Sequence, residues 1–172
     1  MKIYTKKGDK GQTDVIGKRV SKSDLKMNIV GELDELSVRM AELNLYIDET
    51  LKEKLFEIDK VLFKIATIAI DINNYFNFTV TEEEIENLEK QIDIWENEVP
   101  KLKNFITYDG DISSIKASLI KTQVRKVERL MTDDDLPVNV LKYFNRLSDY
   151  FFVLARYLNH IKGISERKRE VK

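Results

Sequence analysis

The sequence predicts an all-α fold: an up-and-down bundle of five helices preceded by a non-helical N-terminal arm. Three observations carry this expectation. Apolar side chains recur three and four apart in five segments from about residue 23 onward, with Lys and Glu between them. The two prolines, Pro100 and Pro137, both fall at segment boundaries. Half of the six glycines, Gly8, Gly11 and Gly17, lie in the first 22 residues, MKIYTKKGDKGQTDVIGKRVSK, which have no helical period.

The first helix is expected from about Ser23 to Ile47, with a seam of Ile29, Leu33, Leu36, Met40, Leu43 and Ile47. The second spans about Glu49 to Phe76. Its seam runs Leu51, Leu55, Ile58, Leu62, Ile65, Ala69, Ile72, and it carries a second apolar set, Phe56, Phe63, Ile68 and Ile70. A helix apolar on two faces is either central or at an interface between copies. The third opens with a capping box, Thr81 to Glu84, runs along Ile85, Leu88, Ile92, Trp95 and Val99, and closes at Pro100. Residues 100–112 read as a loop. The fourth helix covers about Ser113 to Met131, the turn TDDDLP breaks it, and the fifth follows Pro137 to about Lys162. One short strand is conceivable at Lys2–Thr5. The tail from Ser165, SERKREVK, reads as disordered. The chain is thus one domain, with an arm over 1–22, a bundle over 23–163 and a polar tail over 164–172.

Composition narrows the function. With 172 residues the chain can bury a full core without staples. It has no cysteine, which removes disulfides, thiolate metal sites and cysteine nucleophiles. No secretory signal is read and no apolar run reaches a membrane span, so a cytoplasmic setting without a membrane partner is expected. A net charge of −1 argues against a nucleic-acid partner. His160 is the single histidine and lies near the end, which disfavours histidine acid–base or metal chemistry.

The arm holds seven basic residues against two acids, Asp9 and Asp14. Glycines let backbone N–H groups approach an anion and lysines neutralise it, which suits polyphosphate. The stretch matches neither a P-loop nor a dinucleotide fingerprint, and a solvated, frayed terminus would read the same. On the fourth helix Lys121, Arg125 and Glu128 share a face, flanked by Arg129; on the fifth, Asn145, Asp149 and Arg156 line up beside the core stripe. Either set is chemistry or an ordinary ladder of surface ion pairs.

Three blocks then carry a resemblance. Tyr4-Thr5-Lys6-Lys7-Gly8-Asp9-Lys10-Gly11-Gln12-Thr13, with Gly17, Arg19 and Lys22, resembles the opening of PduO-type ATP:cob(I)alamin adenosyltransferases. Gly31-Glu32-Leu33-Asp34-Glu35-Leu36-Ser37 is similar to that family's G-x-x-D-E-L-[NS]. Arg125-Lys126-Val127-Glu128-Arg129 and Tyr143-Phe144-Asn145-Arg146-Leu147-Ser148-Asp149-Tyr150 resemble its R-R-x-E-R and [FY]-L-N-R-L-S-D-[YF].

The resemblance implies a ferritin-like, cobalamin adenosyltransferase-like bundle, assembled as a homotrimer with active sites between subunits. It implies transfer of the 5′-deoxyadenosyl group of ATP to cob(I)alamin, with Mg²⁺ accompanying ATP and triphosphate leaving. Thr5, Lys6, Lys7, Gly8, Thr13 and Lys22 would cradle the phosphates. Arg125 would face the leaving group, and Lys126, Glu128, Arg129 and Asn145 would complete the nucleotide site, with Glu128 nearest the metal. Phe105 would crowd the lower axial side of the corrin. Lys121 stands where the family has an arginine paired with the aspartate aligned to Asp34. Further departures are Lys7 for a threonine and Thr107-Tyr108-Asp109-Gly110 for L-P-G-G. A reductase or a B12-dependent enzyme is an expected partner. The alternative is a non-catalytic trimer that binds nucleotide or corrinoid for delivery or regulation.

Overall fold

The computed structural model describes residues 2–170. Five helices form the bundle: α1 (Leu25–Leu43), α2 (Glu49–Ile70), α3 (Glu82–Glu98), α4 (Ile112–Met131) and α5 (Val138–Ile161). A 3₁₀ turn, Asn44–Tyr46, joins α1 to α2. Before them, β1 (Gln12–Val15) and β2 (Lys18–Ser21) pair antiparallel, Gln12 opposite Ser21 and Val15 opposite Lys18.

Side chains close the starts of α1 to α4. Asp24 accepts from the Lys26 N–H at 3.0 Å and Asp48 from Leu51 at 2.9 Å. At α3, Thr81 and Glu84 form the expected reciprocal capping box. Such caps stabilise a helix by about 0.5–2 kcal/mol because they satisfy N–H groups that have no intrahelical partner.

The expected seams of α1, α2 and α3 lie in the core, except that Ile47 is only half-buried and Ile72, beyond the end of α2, is exposed. Ile29, Leu36 and Leu43 of α1, Ile65 of α2, Ile120 and Val124 of α4, and Phe144, Phe151 and Leu154 of α5 are all fully buried. Burying each such side chain contributes about 1.5–3 kcal/mol. Helix α5 is central, packed between α3 and α4; α4 in turn packs on α1, and α1 on α2. Trp95 of α3 stacks on Tyr157 at 5.5 Å and meets Tyr150 edge-on at 4.9 Å. Lys26 and Asp134 bond at 2.8 Å, tying the start of α1 to the acidic turn after α4.

Three expectations are corrected. Helix α2 stops at Ile70, not Phe76, because the Asp71 carboxylate accepts the N–H groups of Tyr75 and Phe76 at 2.8 and 2.7 Å and turns the chain. Lys2–Thr5 is not a strand; the strands lie further on, in the hairpin. The hairpin turns at Ile16-Gly17, where Gly17 has φ +95°, and Ile16 bridges to Asp71 at the end of α2. The tail is not loose over its described part: Lys168 pairs with Ile106, and Glu166 bonds Arg156. Residues 171 and 172 lie outside the described residues.

On α2, Phe56 and Phe63 are 55% and 75% exposed, while Ile68 and Ile70 are half-buried. The Phe56–Phe63 part of its second apolar face is therefore uncovered among the described residues, while Ile68 packs against the core.

Candidate functional site

The arm folds as a series of turns. Asp9 N–H donates to the Lys6 carbonyl at 3.4 Å, Gly11 to Gly8 at 3.1 Å, and Lys22 to Gly11 at 2.9 Å. Lys6 takes the left-handed conformation, φ +59°. A Cβ on Gly8 would stand 3.0 Å from Lys22 Nζ, so the small residue lets the ammonium lie against the backbone. Arg19 bonds Asp14 at 2.8 Å, Gln12 at 3.2 Å and the Lys7 carbonyl. Thr5 Oγ1 accepts from the Lys7 N–H at 3.5 Å, and Thr13 sits half-buried on β1. Among the described residues the ammonium groups of Lys6, Lys7 and Lys22 have no hydrogen-bond or ion-pair partner.

Helix α4 presents a second group of cations. Arg125 and Arg129 are exposed, and neither guanidinium has a partner among the described residues. Lys126 is held by Glu32 of α1 at 2.6 Å, whose other oxygen takes Gln123 at 2.5 Å. Glu128 accepts from Asn145 Nδ2 of α5 at 3.3 Å, and the pair opens on a cleft of about 510 Å³ between α3, α4 and α5. The helical period places Lys121, Arg125 and Glu128 on one face.

The loop before α4 reaches this face. Lys121 Nζ donates to Tyr108 Oη at 2.8 Å and stands 4.9 Å from the Tyr108 ring and 5.5 Å from that of Phe152. The Lys121 hydrogen bond, with Arg169 and Arg125 nearby, holds the Tyr108 phenol below the usual tyrosine pKa. Phe105 points its ring to solvent, 83% exposed. The loop is closed at Gly110, φ +101°: Asn159 accepts the Asp111 N–H at 2.9 Å and donates to the Asp109 carbonyl at 3.0 Å. Asp111 then caps α4, and its carboxyl is held down to about 2 by Lys162 and Ser113.

Some expected groupings do not form within one chain. Asp34 is exposed and Lys121 bonds Tyr108 instead of it. No hydrogen bond or ion pair among the described residues joins the arm to α4 or α5. The alignment of Asn145, Asp149 and Arg156 also dissolves. Asn145 meets Glu128, Asp149 meets Arg146 at 3.4 Å, and Arg156 is buried against Glu166 and the Pro100 carbonyl. Glu32, Asn159 and Glu166 were invisible as site residues, since their roles depend on contacts between distant segments. No group of three His, Cys, Asp or Glu among the described residues could hold a metal alone.

Comparison with known proteins adds three findings. The family model for cobalamin adenosyltransferase matches residues 3–158. The corrinoid adenosyltransferase of Bacillus subtilis is 36% identical over 179 residues, covering 99% of this chain and 93% of its own; the human one is 33% identical, over 96% and 72%. A variant PduO-type ATP:corrinoid adenosyltransferase from Lactobacillus reuteri, solved with cobalamin and ATP, superposes with a TM-score of 0.92 at 31% identity, covering 99% of this chain and all of that one.

Proposed function

Since this chain belongs to the cobalamin adenosyltransferase family, we infer that it transfers the 5′-deoxyadenosyl group of ATP to cob(I)alamin, yielding adenosylcobalamin and triphosphate. The Co(I) lone pair forms the bond to C5′ while the C5′–O bond breaks, and triphosphate leaves with that electron pair. Cob(I)alamin is itself a powerful nucleophile, so the protein needs no base. Its tasks are to align C5′ with cobalt and to stabilise the charge on the leaving triphosphate.

The observation that carries the assignment of roles is the unpartnered Arg125 on the face shared with Glu128. A guanidinium without an internal carboxylate is available to a phosphate, and its fork suits bidentate contact. Arg125 is assigned to the leaving group, with Arg129 and Lys126 beside it and Asn145 on the nucleotide. Thr5, Lys6, Lys7, Gly8, Thr13 and Lys22 are assigned to the phosphates; the three free ammonium groups and the turn amides support this. Phe105, exposed and apolar, is assigned to the lower axial side of the corrin. There it excludes water and the dimethylbenzimidazole. Lys121 and Asp34 are assigned to the corrinoid side.

Mg²⁺ fits this donor set. The ion keeps several waters and takes one or two carboxylates plus substrate phosphates. Glu128, oriented by Asn145, would hold it, and its charge would offset that of the phosphates.

Two features support a homotrimer with sites between subunits. The Phe56–Phe63 face of α2 is exposed, and among the described residues the arm makes no hydrogen bond or ion pair to α4 of its own chain. A cytoplasmic location, and a reductase or a B12-dependent enzyme as partner, complete the proposal.

The test is an anaerobic spectrum following loss of cob(I)alamin after ATP is added. Wild type is expected to turn over, and Arg125→Ala to lose about 10²–10³ in kcat, the usual effect of removing one preorganised charge-stabilising donor. Unchanged turnover in Arg125→Ala would refute its role, and an inert wild type would refute the reaction.

A further inference from the structure

The tail after α5 contacts the Phe105 loop at three levels. At the base, Arg156 is 5% exposed and donates to both carboxylate oxygens of Glu166, at 2.5 and 3.2 Å, and to the Pro100 carbonyl at 2.5 Å. Glu166 and the start of the loop are thus fixed to one buried guanidinium. Next, two backbone hydrogen bonds form a short antiparallel ladder. Thr107 N–H donates to the Arg167 carbonyl at 2.9 Å, and Arg169 N–H to the Phe105 carbonyl at 2.8 Å. Outermost, Arg167 meets Asp109 at 3.4 Å and the Arg169 guanidinium lies 5.6 Å from the centre of the Tyr108 ring.

Phe105 contributes nothing to this chain's own core, because its ring is 83% exposed. Residues 101–110 have no helix or strand of their own apart from the bridge at Ile106. The backbone on either side of Ile106 is instead bonded to the tail. We propose that residues 166–169 are a strap that sets the height and direction of Phe105, with Glu166 and the Arg169 amide as positioning groups for the corrinoid. This rests on the reading that Phe105 faces the corrin. An exposed ring on an unbraced loop would sample many directions, and crowding an axial position requires one. The pair of buried Arg156 and half-buried Glu166 transmits the position of α5 to the strap. A bidentate guanidinium–carboxylate pair has defined geometry, and a partner removed from a buried pair leaves an uncompensated charge.

Arg169→Pro removes the N–H that bonds Phe105, Arg169→Ala keeps it while removing the guanidinium, and Glu166→Gln weakens the latch. The readouts are KM for cob(I)alamin, KM for ATP, and the four-coordinate fraction of bound Co(II)alamin, which a general loss of stability would not shift selectively. Losing one or two such bonds should raise corrinoid KM roughly tenfold in Arg169→Pro and Glu166→Gln and lower the four-coordinate fraction. ATP KM should stay within about twofold, and Arg169→Ala should lie much nearer wild type. Wild-type turnover with corrinoid KM and Co(II) spectra unchanged in both variants overturns the strap and leaves the reaction standing. So does an equal rise in both KM values. A wild type without turnover overturns the reaction and the strap together.

Discussion

Replacing Gly110 by alanine should destabilise the protein by about 2–4 kcal/mol, through two effects that the structure separates. A Cβ there would stand 2.4 Å from Asn159 Oδ1 and 2.7 Å from Nδ2, inside van der Waals contact. Asn159 is buried and bridges the chain on both sides of Gly110, so it cannot move without losing its bonds to Asp109 and Asp111. Each is worth about 0.5–1.5 kcal/mol. The backbone φ of +101° adds roughly 1–3 kcal/mol of strain for a residue with a side chain, and the smaller entropy of the unfolded alanine chain returns about 0.4–1 kcal/mol. Gly163→Ala isolates the backbone effect, since φ there is +68° and an added Cβ meets nothing. Urea unfolding followed by far-UV circular dichroism measures both variants, and at this chain length each kcal/mol corresponds to about 2–4 °C in Tm. In an Asn159→Ala background the clash is relieved, so Gly110→Ala should cost distinctly less. Equal costs for Gly110→Ala and Gly163→Ala, or no coupling with Asn159, would refute the close approach.

Other outcomes follow from the same contacts. Asp111 titrates at about 2 when folded, below an unfolded value of about 3.9. Its stabilising contribution is therefore present above pH 4 and lost as pH falls toward 2, so Asp111→Asn should flatten the acid limb of stability against pH; parallel curves for the two proteins would contradict this. The Tyr108 phenolate should appear, by ultraviolet difference absorbance, at lower pH than an ordinary tyrosine, and Lys121→Met should move it back up. MgATP at 100 times its Kd should stabilise the folded protein by about 2.7 kcal/mol. At the same ATP concentration, joint replacement of Lys6, Lys7 and Lys22 by alanine should abolish most of that gain, and a full thermal shift in this variant would remove the arm from the nucleotide site.

The helices were legible because burial leaves a period in the chain: the expected stripe of α3, Ile85, Leu88, Ile92, Trp95 and Val99, is its set of buried residues. The end of α2 was not, since apolar spacing runs on through Ile72 while a single carboxylate, Asp71, turns the backbone by capturing two N–H groups. The hairpin left a signal, Thr13 and Val15 alternating toward Gly17 and Val20 following it, but the lysine-rich composition hid it. Lys121 could be placed on a face, whereas its partner Tyr108 could not be chosen from sequence spacing. The tail shows the same limit from the other side. Its polarity suggested disorder, yet its order comes from a buried arginine ten positions earlier and a loop sixty positions earlier. Arg156 looked like one rung of a ladder on α5 because helical spacing reveals a face but not the depth to which it is buried.

The arm is anchored through Ile16 to the turn after α2, and among the described residues nothing in it bonds Arg125 of the same chain. In the proposed trimer this would make each active centre a joint product of neighbours, so lesions in the arm and lesions on α4 would belong to different complementation groups. A chain defective in its lysines and another defective at Arg125, each inert alone, would regain activity when co-assembled, because some interfaces would unite the intact half of one with the intact half of the other. Genetically, a mixture of two null alleles would not behave as a null.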